Sequence, residues 1–265
     1  MSAIGVAAGS DDYVLFCEGL RQICGVDLSQ YKRPQMERRI RSFADRRGID
    51  SLSGYLQTLA ADRDALEQFL DRMTINVSQL WRNPEQWDRL GGTILPELAR
   101  AGTIRAWSAG SSYGAEAYTL AAVCRRVAPG CKVEILGTDI DARMVARARE
   151  GRFSGDDART APAADLERAF DRDGSGWRAK PELRMMVKFA TGDLLRDPVD
   201  KASFDLILCR NVVIYFTEPV RDALHERLAS ALRPGGYLMV GSSERVSAPQ
   251  AFGLATAHPF IYRKS

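Results

Sequence analysis

Between residues 11 and about 90, apolar positions recur at helical spacing and no stretch alternates as a strand does. Val14, Leu15, Leu20, Ile23 and Cys24 mark a first helix that Gly25 can end. A second runs from Pro34, a residue suited to a first turn, to about Arg47 and stops at Gly48, with Met36, Ile40, Phe43 and Ala44 as its apolar stripe. Ser51 and Ser53 offer caps for a third through Leu59, and Leu66, Phe69, Leu70 and Met73 share one side of a fourth over 62–74. From Ile104 the texture changes. Five short apolar runs, at 104–109, 132–139, 186–190, 204–209 and 237–241, alternate with helical patterns at 116–127, 142–149 and 219–232. Such alternation predicts an α/β fold with a doubly wound, mostly parallel sheet. Residues 260–262 read as a last antiparallel strand, and 151–185, rich in charge, Gly, Ala and Asp, as a small insertion. The expected organisation is a small all-helical domain over 1–90, then a sheet domain over 91–265 that carries the insertion.

The strand ends carry the candidate chemistry. In an open α/β sheet, ligands bind beyond the carboxyl ends of the strands, where a glycine turn lets them approach the backbone. Ala109-Gly110-Ser111-Ser112-Tyr113-Gly114-Ala115-Glu116 follows the first strand and is neither a dinucleotide fingerprint nor a P-loop. The second strand ends at Thr138-Asp139-Ile140-Asp141. Asp141 is placed to cap the next helix, which leaves Asp139 to accept the two hydroxyls of a ribose. The third ends at Gly192-Asp193-Leu194, where Asp193 can accept the exocyclic amine of adenine while Leu194 packs on the ring. Acids at three successive strand ends, with no phosphate cradle, disfavour NAD and ATP and favour a cationic nucleoside, S-adenosylmethionine. The helix end, tight turn and apolar strand at 232–238 fit the same fold.

Four segments together resemble the CheR-type chemotaxis receptor methyltransferases: Thr74-Ile75-Asn76-Val77-Ser78-Gln79-Leu80-Trp81-Arg82-Asn83, the turn from Trp107 to Thr119, Gly137-Thr138-Asp139-Ile140-Asp141, and the run from Phe204 through Cys209-Arg210-Asn211-Val212-Val213-Ile214-Tyr215-Phe216. The resemblance spans nearly the whole chain. It implies a class I, Rossmann-like methyltransferase domain behind the helical one. It also implies a protein-glutamate O-methyltransferase that moves a methyl group from S-adenosylmethionine to glutamates of chemoreceptor cytoplasmic helices. Carried over by position, Asn76, Ser78, Arg82, Gly110, Glu116, Asp139, Asp193, Leu194, Arg210 and Asn211 would line the cofactor site, with Arg82 and Tyr215 nearest the transferred methyl. The turn departs from the family pattern at Ser111, Tyr113, Ala115 and Ala117, and the Tyr113 ring is expected to crowd the methionine end. Residues 151–190 lack a clear peptide-docking signature, so the chain resembles the kind that binds no receptor pentapeptide.

Charge narrows the partners. The net charge is +3, from 37 basic and 34 acidic residues, too near neutral for a general nucleic-acid binder. Residues 31–47 are the exception, with seven basic residues against two acidic. Arg38, Arg39 and Arg41 on that helix are read as a dock for an acidic receptor helix; no exposed aromatics interleave with them as nucleic-acid binding would favour. Five cysteines without a C-x-x-C pair, beside two histidines, make a zinc site unexpected and fit buried thiols in a reducing cytoplasm. No basic leader precedes an apolar stretch and no run reaches a membrane span, so a cytoplasmic monomer without membrane insertion is expected. Two other readings stay open: a module that senses S-adenosylmethionine without turnover, and a methyltransferase with a different acceptor.

Overall fold

The computed structural model describes residues 11–73 and 78–265. Two compact units emerge. The first holds four helices: α1 (Asp12–Cys24), α2 (Arg33–Asp45), α3 (Leu52–Ala61) and α4 (Arg63–Met73). Local chemistry sets their ends. The Asp11 carboxylate accepts from the Tyr13 N–H at 3.0 Å, the Ser51 hydroxyl accepts from Gly54 N–H at 3.1 Å, and Gly25 closes α1 at φ 78°. The core is an aromatic cluster in which Phe69 meets Phe16, Phe43 and Tyr55 edge-on, at centroid distances of 5.8–6.3 Å. Such contacts add to the burial itself, which contributes ~1.5–3 kcal/mol per large side chain. On α2 the buried face is the expected Met36, Ile40, Phe43 and Ala44. On α1 it is Tyr13, Phe16, Cys17 and Leu20, whereas Val14 and Leu15 are exposed. Residues Tyr215–Thr217 belong to this unit. Phe216 bridges Tyr31, the Tyr215 carbonyl accepts from Lys32 N–H at 2.9 Å, and Thr217 N–H donates to Gln30 O at 3.1 Å.

The second unit begins with α5 (Pro84–Arg89), a π-helical turn at Leu90–Ile94 and α6 (Leu95–Ala99). The sequence pattern places residues up to 90 in the helical domain. Here Leu80, Trp81, Trp87 and Leu90 share a core with the sheet instead, so the division falls between residues 73 and 78. Then come β1 (Thr103–Ala109), α7 (Ala115–Val127), β2 (Lys132–Asp139), α8 (Ala142–Glu150), β3 (Arg152–Phe153), α9 (Ala163–Ala169), β4 (Phe170–Asp173), β5 (Gly176–Ala179), α10 (Pro181–Met186), β6 (Val187–Thr191), β7 (Phe204–Cys209), α11 (Glu218–Ala231), β8 (Leu232–Val240), β9 (Leu254–His258) and β10 (Ile261–Lys264). The main sheet has the order β6-β2-β1-β7-β8-β10-β9, parallel through β8, with β10 and β9 antiparallel at one edge. Order reverses between β1 and β7, the switch point at which such sheets bind ligands. The segment read as an insertion forms a separate antiparallel sheet, β3-β5-β4. Among the described residues no helix is long and apolar enough to cross a membrane.

Candidate functional site

Backbone hydrogen bonds tie the carboxyl ends of β1, β2 and β6 together. Gly110 and Ser111 N–H both donate to Thr138 O, at 2.9 and 2.8 Å, and Gly192 N–H donates to Asp139 O at 2.9 Å. Gly110 has φ 77°, and a Cβ there would come within 2.6 Å of Val212 Cγ2, so only glycine lets the turn lie against the loop after β7. Asp139 is buried. Its Oδ2 accepts from Ser112 N–H at 2.8 Å and its Oδ1 from Asp141 N–H at 3.0 Å, so each oxygen keeps a lone pair for a ligand hydroxyl. Burial raises its pKa against the pull of these N–H groups. Asp141 caps α8 by accepting from Arg143 N–H at 2.9 Å, the division of labour read from the sequence.

Asp193 and Leu194 line a cavity of about 230 Å³, walled also by Trp107, Leu136, Thr138 and Phe204. Trp107 stacks on Phe204 at 5.4 Å and its indole N–H donates to Thr138 Oγ1 at 2.8 Å, which makes a flat apolar floor. Asp193 Oδ1 accepts from Leu195 N–H at 2.8 Å.

Glu116, in the first turn of α7, accepts from Ser108 Oγ at 2.7 Å and from Arg210 Nη1 at 3.3 Å. The Arg210 side chain is 1% exposed. Its other donors reach Gln86 Oε1 at 2.7 and 3.0 Å, Arg82 O at 2.7 Å and Asn83 Oδ1 at 3.1 Å, with Trp87 beneath the guanidinium at 5.3 Å. Burial pushes the Glu116 pKa up, while Arg210 and Ser108 pull it back. The sequence reading has Arg210 lining the cofactor site. The structure directs its guanidinium into the protein, where it holds the main chain of Arg82 and the carboxylate of Glu116.

Arg82 is half-buried in a turn between Trp81 at φ 54° and Asn83 at φ 58°. Ser112 at φ 49° and Asn211 at φ 61° complete a set: four of the six non-glycine residues with positive φ among the described residues lie on these loops. Strain of this kind concentrates at functional sites. Ser78 is half-buried and its carbonyl accepts from the Tyr113 hydroxyl. Asn76 lies outside the described residues. Asn211 N–H donates to Glu244 Oε2 at 2.8 Å. Tyr215 belongs to the helical unit, Arg82 to the sheet unit.

On α2, Arg38 is exposed and makes no ion pair among the described residues. Arg39 is half-buried over the Phe43 ring at 5.7 Å. Arg41, read as part of the same dock, forks onto Asp12 of α1 at 2.8 and 3.1 Å and onto Glu37, one turn back on α2, at 2.8 Å.

The sequence reading missed Ser108, Gln86 and Glu244, all buried. Gln86 serves Arg210, and Glu244 the main chain of Asn211 and Val213, across the fold, of which periodicity carries no sign; Ser108 serves Glu116, eight residues on. For Glu244 a local signal exists, an acid just beyond the apolar run of β8.

The chain matches two family models: "CheR methyltransferase, all-alpha domain" over residues 11–74 and "CheR methyltransferase, SAM binding domain" over residues 76–261. It is 36% identical over 256 residues to a chemotaxis protein methyltransferase of Listeria monocytogenes, covering 96% of this chain and 97% of that protein. It is 31% identical over 272 residues to chemotaxis protein methyltransferase 1 of Pseudomonas aeruginosa, covering 97% of this chain and 99% of that protein. Both model matches meet at the boundary that the structure draws between its two units, and on that evidence the chain belongs to the CheR methyltransferase family.

Proposed function

We propose that the protein transfers a methyl group from S-adenosylmethionine to glutamate side chains of chemoreceptor cytoplasmic helices, giving glutamyl methyl esters for sensory adaptation. The observation that carries this reading is the Arg210–Glu116–Gln86 network, which fixes the Arg82 turn beside the acid-lined strand ends. The names of the Listeria and Pseudomonas relatives support the chemotaxis setting. Asp139 is assigned to the ribose hydroxyls, and Asp193 and Leu194, with the Trp107–Phe204 floor, to the adenine. Glu116 is assigned to the cationic methionine end. Ser78, Gly110 and Asn211 are assigned to the walls of the same site, and Arg210 to positioning.

S-adenosylmethionine supplies an electrophilic methyl on a sulfonium. A glutamate acceptor has an ordinary pKa of about 4.3, so it arrives ionised and needs no general base. What the chain must supply is alignment and exclusion of water. Arg82 can hold the acceptor carboxylate in a forked geometry. A tight ion pair also lowers the nucleophilicity of the oxygen, so orientation is its task rather than activation. The product ester is neutral, and loss of a charge on packed receptor helices shifts their conformational balance.

Receptor membranes incubated with methyl-labelled S-adenosylmethionine test the reading. Label that base releases as methanol is the expected result. Base-stable label points to another acceptor chemistry, and cofactor binding without transfer points to a sensor.

A further inference from the structure

Tyr113 stands where the family pattern has Thr, and its ring is packed into the core. It is 3% exposed, lies against Phe153 at a centroid distance of 6.2 Å, and carries the Arg147 guanidinium 4.0 Å from its centroid. The hydroxyl faces two acceptors, Asp157 Oδ1 at 2.8 Å and the Ser78 carbonyl. Burial and the Asp157 carboxylate push the phenol pKa up, so it keeps its proton and remains a donor. Asp157 sits in the loop that follows β3. Its Oδ2 accepts from Ser154 N–H at 2.8 Å and pairs with Arg147 at 3.5 Å, while its carbonyl accepts from Leu80 N–H at 2.9 Å. Thr160 Oγ1 adds a bond to Leu80 O at 2.8 Å. One side chain from the glycine turn therefore reaches both the insertion and the segment that carries Ser78 and Arg82.

We propose that Tyr113 is a positioning residue: held by Asp157 of the inserted subdomain, its hydroxyl sets Ser78 against the glycine turn, which makes the insertion part of the cofactor-binding machinery of this chain. The inference rests on Ser78 facing the cofactor, as proposed above. A Thr hydroxyl, one bond from Cβ, cannot span the same gap, so the departure from the family pattern and the contact to Asp157 go together.

The test is calorimetric affinity for S-adenosylhomocysteine in the full chain, compared among wild type, Tyr113→Phe, Asp157→Ala and the double variant. Tyr118→Phe serves as control, since its ring packs on Phe153 at 5.6 Å in the same core without touching Ser78. Tyr113→Phe keeps the ring and its packing, and Asp157→Ala attacks the link from the loop side. Each single change should weaken binding about fivefold, the size of one net hydrogen bond. The double variant should be no weaker than the poorer single, because both remove one shared link. The Michaelis constant for S-adenosylmethionine should rise more than turnover falls, and Tyr118→Phe should bind as wild type does. Unchanged affinity in Tyr113→Phe, or fully additive losses, overturns this inference alone. A wild-type chain that binds no S-adenosylhomocysteine overturns the site reading and this inference with it.

Discussion

Replacing Glu244 by Ala should loosen the loop after β7 and, through it, cofactor binding. Glu244 is 3% exposed and accepts from three main-chain N–H groups: Gly241 at 2.6 Å, Asn211 at 2.8 Å and Val213 at 3.1 Å. The fit is close, since a Cβ on Gly241 would meet Glu244 Oε2 at 2.6 Å and Asn211 N at 2.9 Å. Hydrogen bonds to a charged partner contribute ~1.5–3 kcal/mol each, and the Ala variant strands three donors. Water admitted to the vacated space restores part of this, so the expected loss of stability is ~3 kcal/mol rather than the sum. Asn211 is also held at φ 61°, a conformation that costs an L residue ~1–2 kcal/mol and should relax once its N–H is released. Glu244→Gln keeps the shape and one acceptor oxygen but sets an NH₂ against the remaining donors, so it should fall between Ala and wild type. Urea unfolding at pH 7 gives the stability, and calorimetry with S-adenosylhomocysteine gives the affinity, which should drop more than tenfold in the folded Ala variant. An Ala variant within ~0.5 kcal/mol of wild type and with normal affinity would refute the reasoning, because that is the range of an ordinary surface substitution.

Asp139→Ala should weaken S-adenosylhomocysteine more than a hundredfold, two charge-assisted bonds at ~1.5–3 kcal/mol each; normal calorimetric affinity in a folded variant would sink the ribose assignment. Arg82→Ala should lose most turnover with a smaller loss of cofactor affinity, whereas normal turnover at saturating cofactor would remove its acceptor role. Arg38→Ser and Arg39→Ser should raise the Michaelis constant for receptor, more at low salt than at high; Arg41→Ser should chiefly lower the melting temperature, because it breaks the fork to Asp12, and the opposite pattern would reverse the two assignments. Both ring nitrogens of His225 are buried without a hydrogen-bond partner, and burial, with Arg221 nearby, holds its pKa down at about 4. Between that value and the unfolded ~6.5 the unfolded chain binds more protons, so stability should fall as pH drops through this window, by up to ~3 kcal/mol. Urea midpoints at pH 7 and pH 5 should show a slope that His225→Leu flattens, and an equal slope in the variant would assign it elsewhere.

The strands were legible because buried parallel strands are short, unbroken apolar runs. β2 and β7 fall at the residues the pattern gives, 132–139 and 204–209. β9 gives no apolar run because it is an edge strand with only Leu254 buried. The phase of α1 misled for another reason. Apolar residues occupy both of its faces, and Tyr13, Phe16 and Cys17 turn inward while Val14 and Leu15 meet solvent. Helical spacing gives a helix but does not choose between two apolar stripes. The domain boundary failed in a related way. α5 looks like one more helix after α4, and which core it joins is settled by Trp87 and Leu90 packing with sheet residues distant in sequence.

The positions of the candidate acids were legible in the sequence, and those of their supports were not. Asp139 ends β2 and Glu116 lies in the first turn of α7, positions that chain order alone gives. The position of Arg210 is given in the same way, but its role depends on Gln86 and Glu116, 124 and 94 residues away in the chain. That separation matters because the site's loops are strained, and strained residues at ~1–3 kcal/mol each persist only where their surroundings over-determine them. Trp81 keeps φ 54° with its ring 2% exposed against Phe170 at 6.2 Å and its N–H on Thr119 Oγ1 at 3.1 Å. The next carbonyl, of Arg82, is gripped by Arg210 at 2.7 Å and by the Trp87 indole at 2.9 Å. Ser112 and Asn211 are held by the Asp139 and Glu244 carboxylates in the same manner. Asp139, Arg210 and Glu244 thus direct hydrogen bonds to backbone that would otherwise relax. A substitution at Asp139 should therefore change the shape of the turn at Ser112 as well as remove the contact proposed to the ribose.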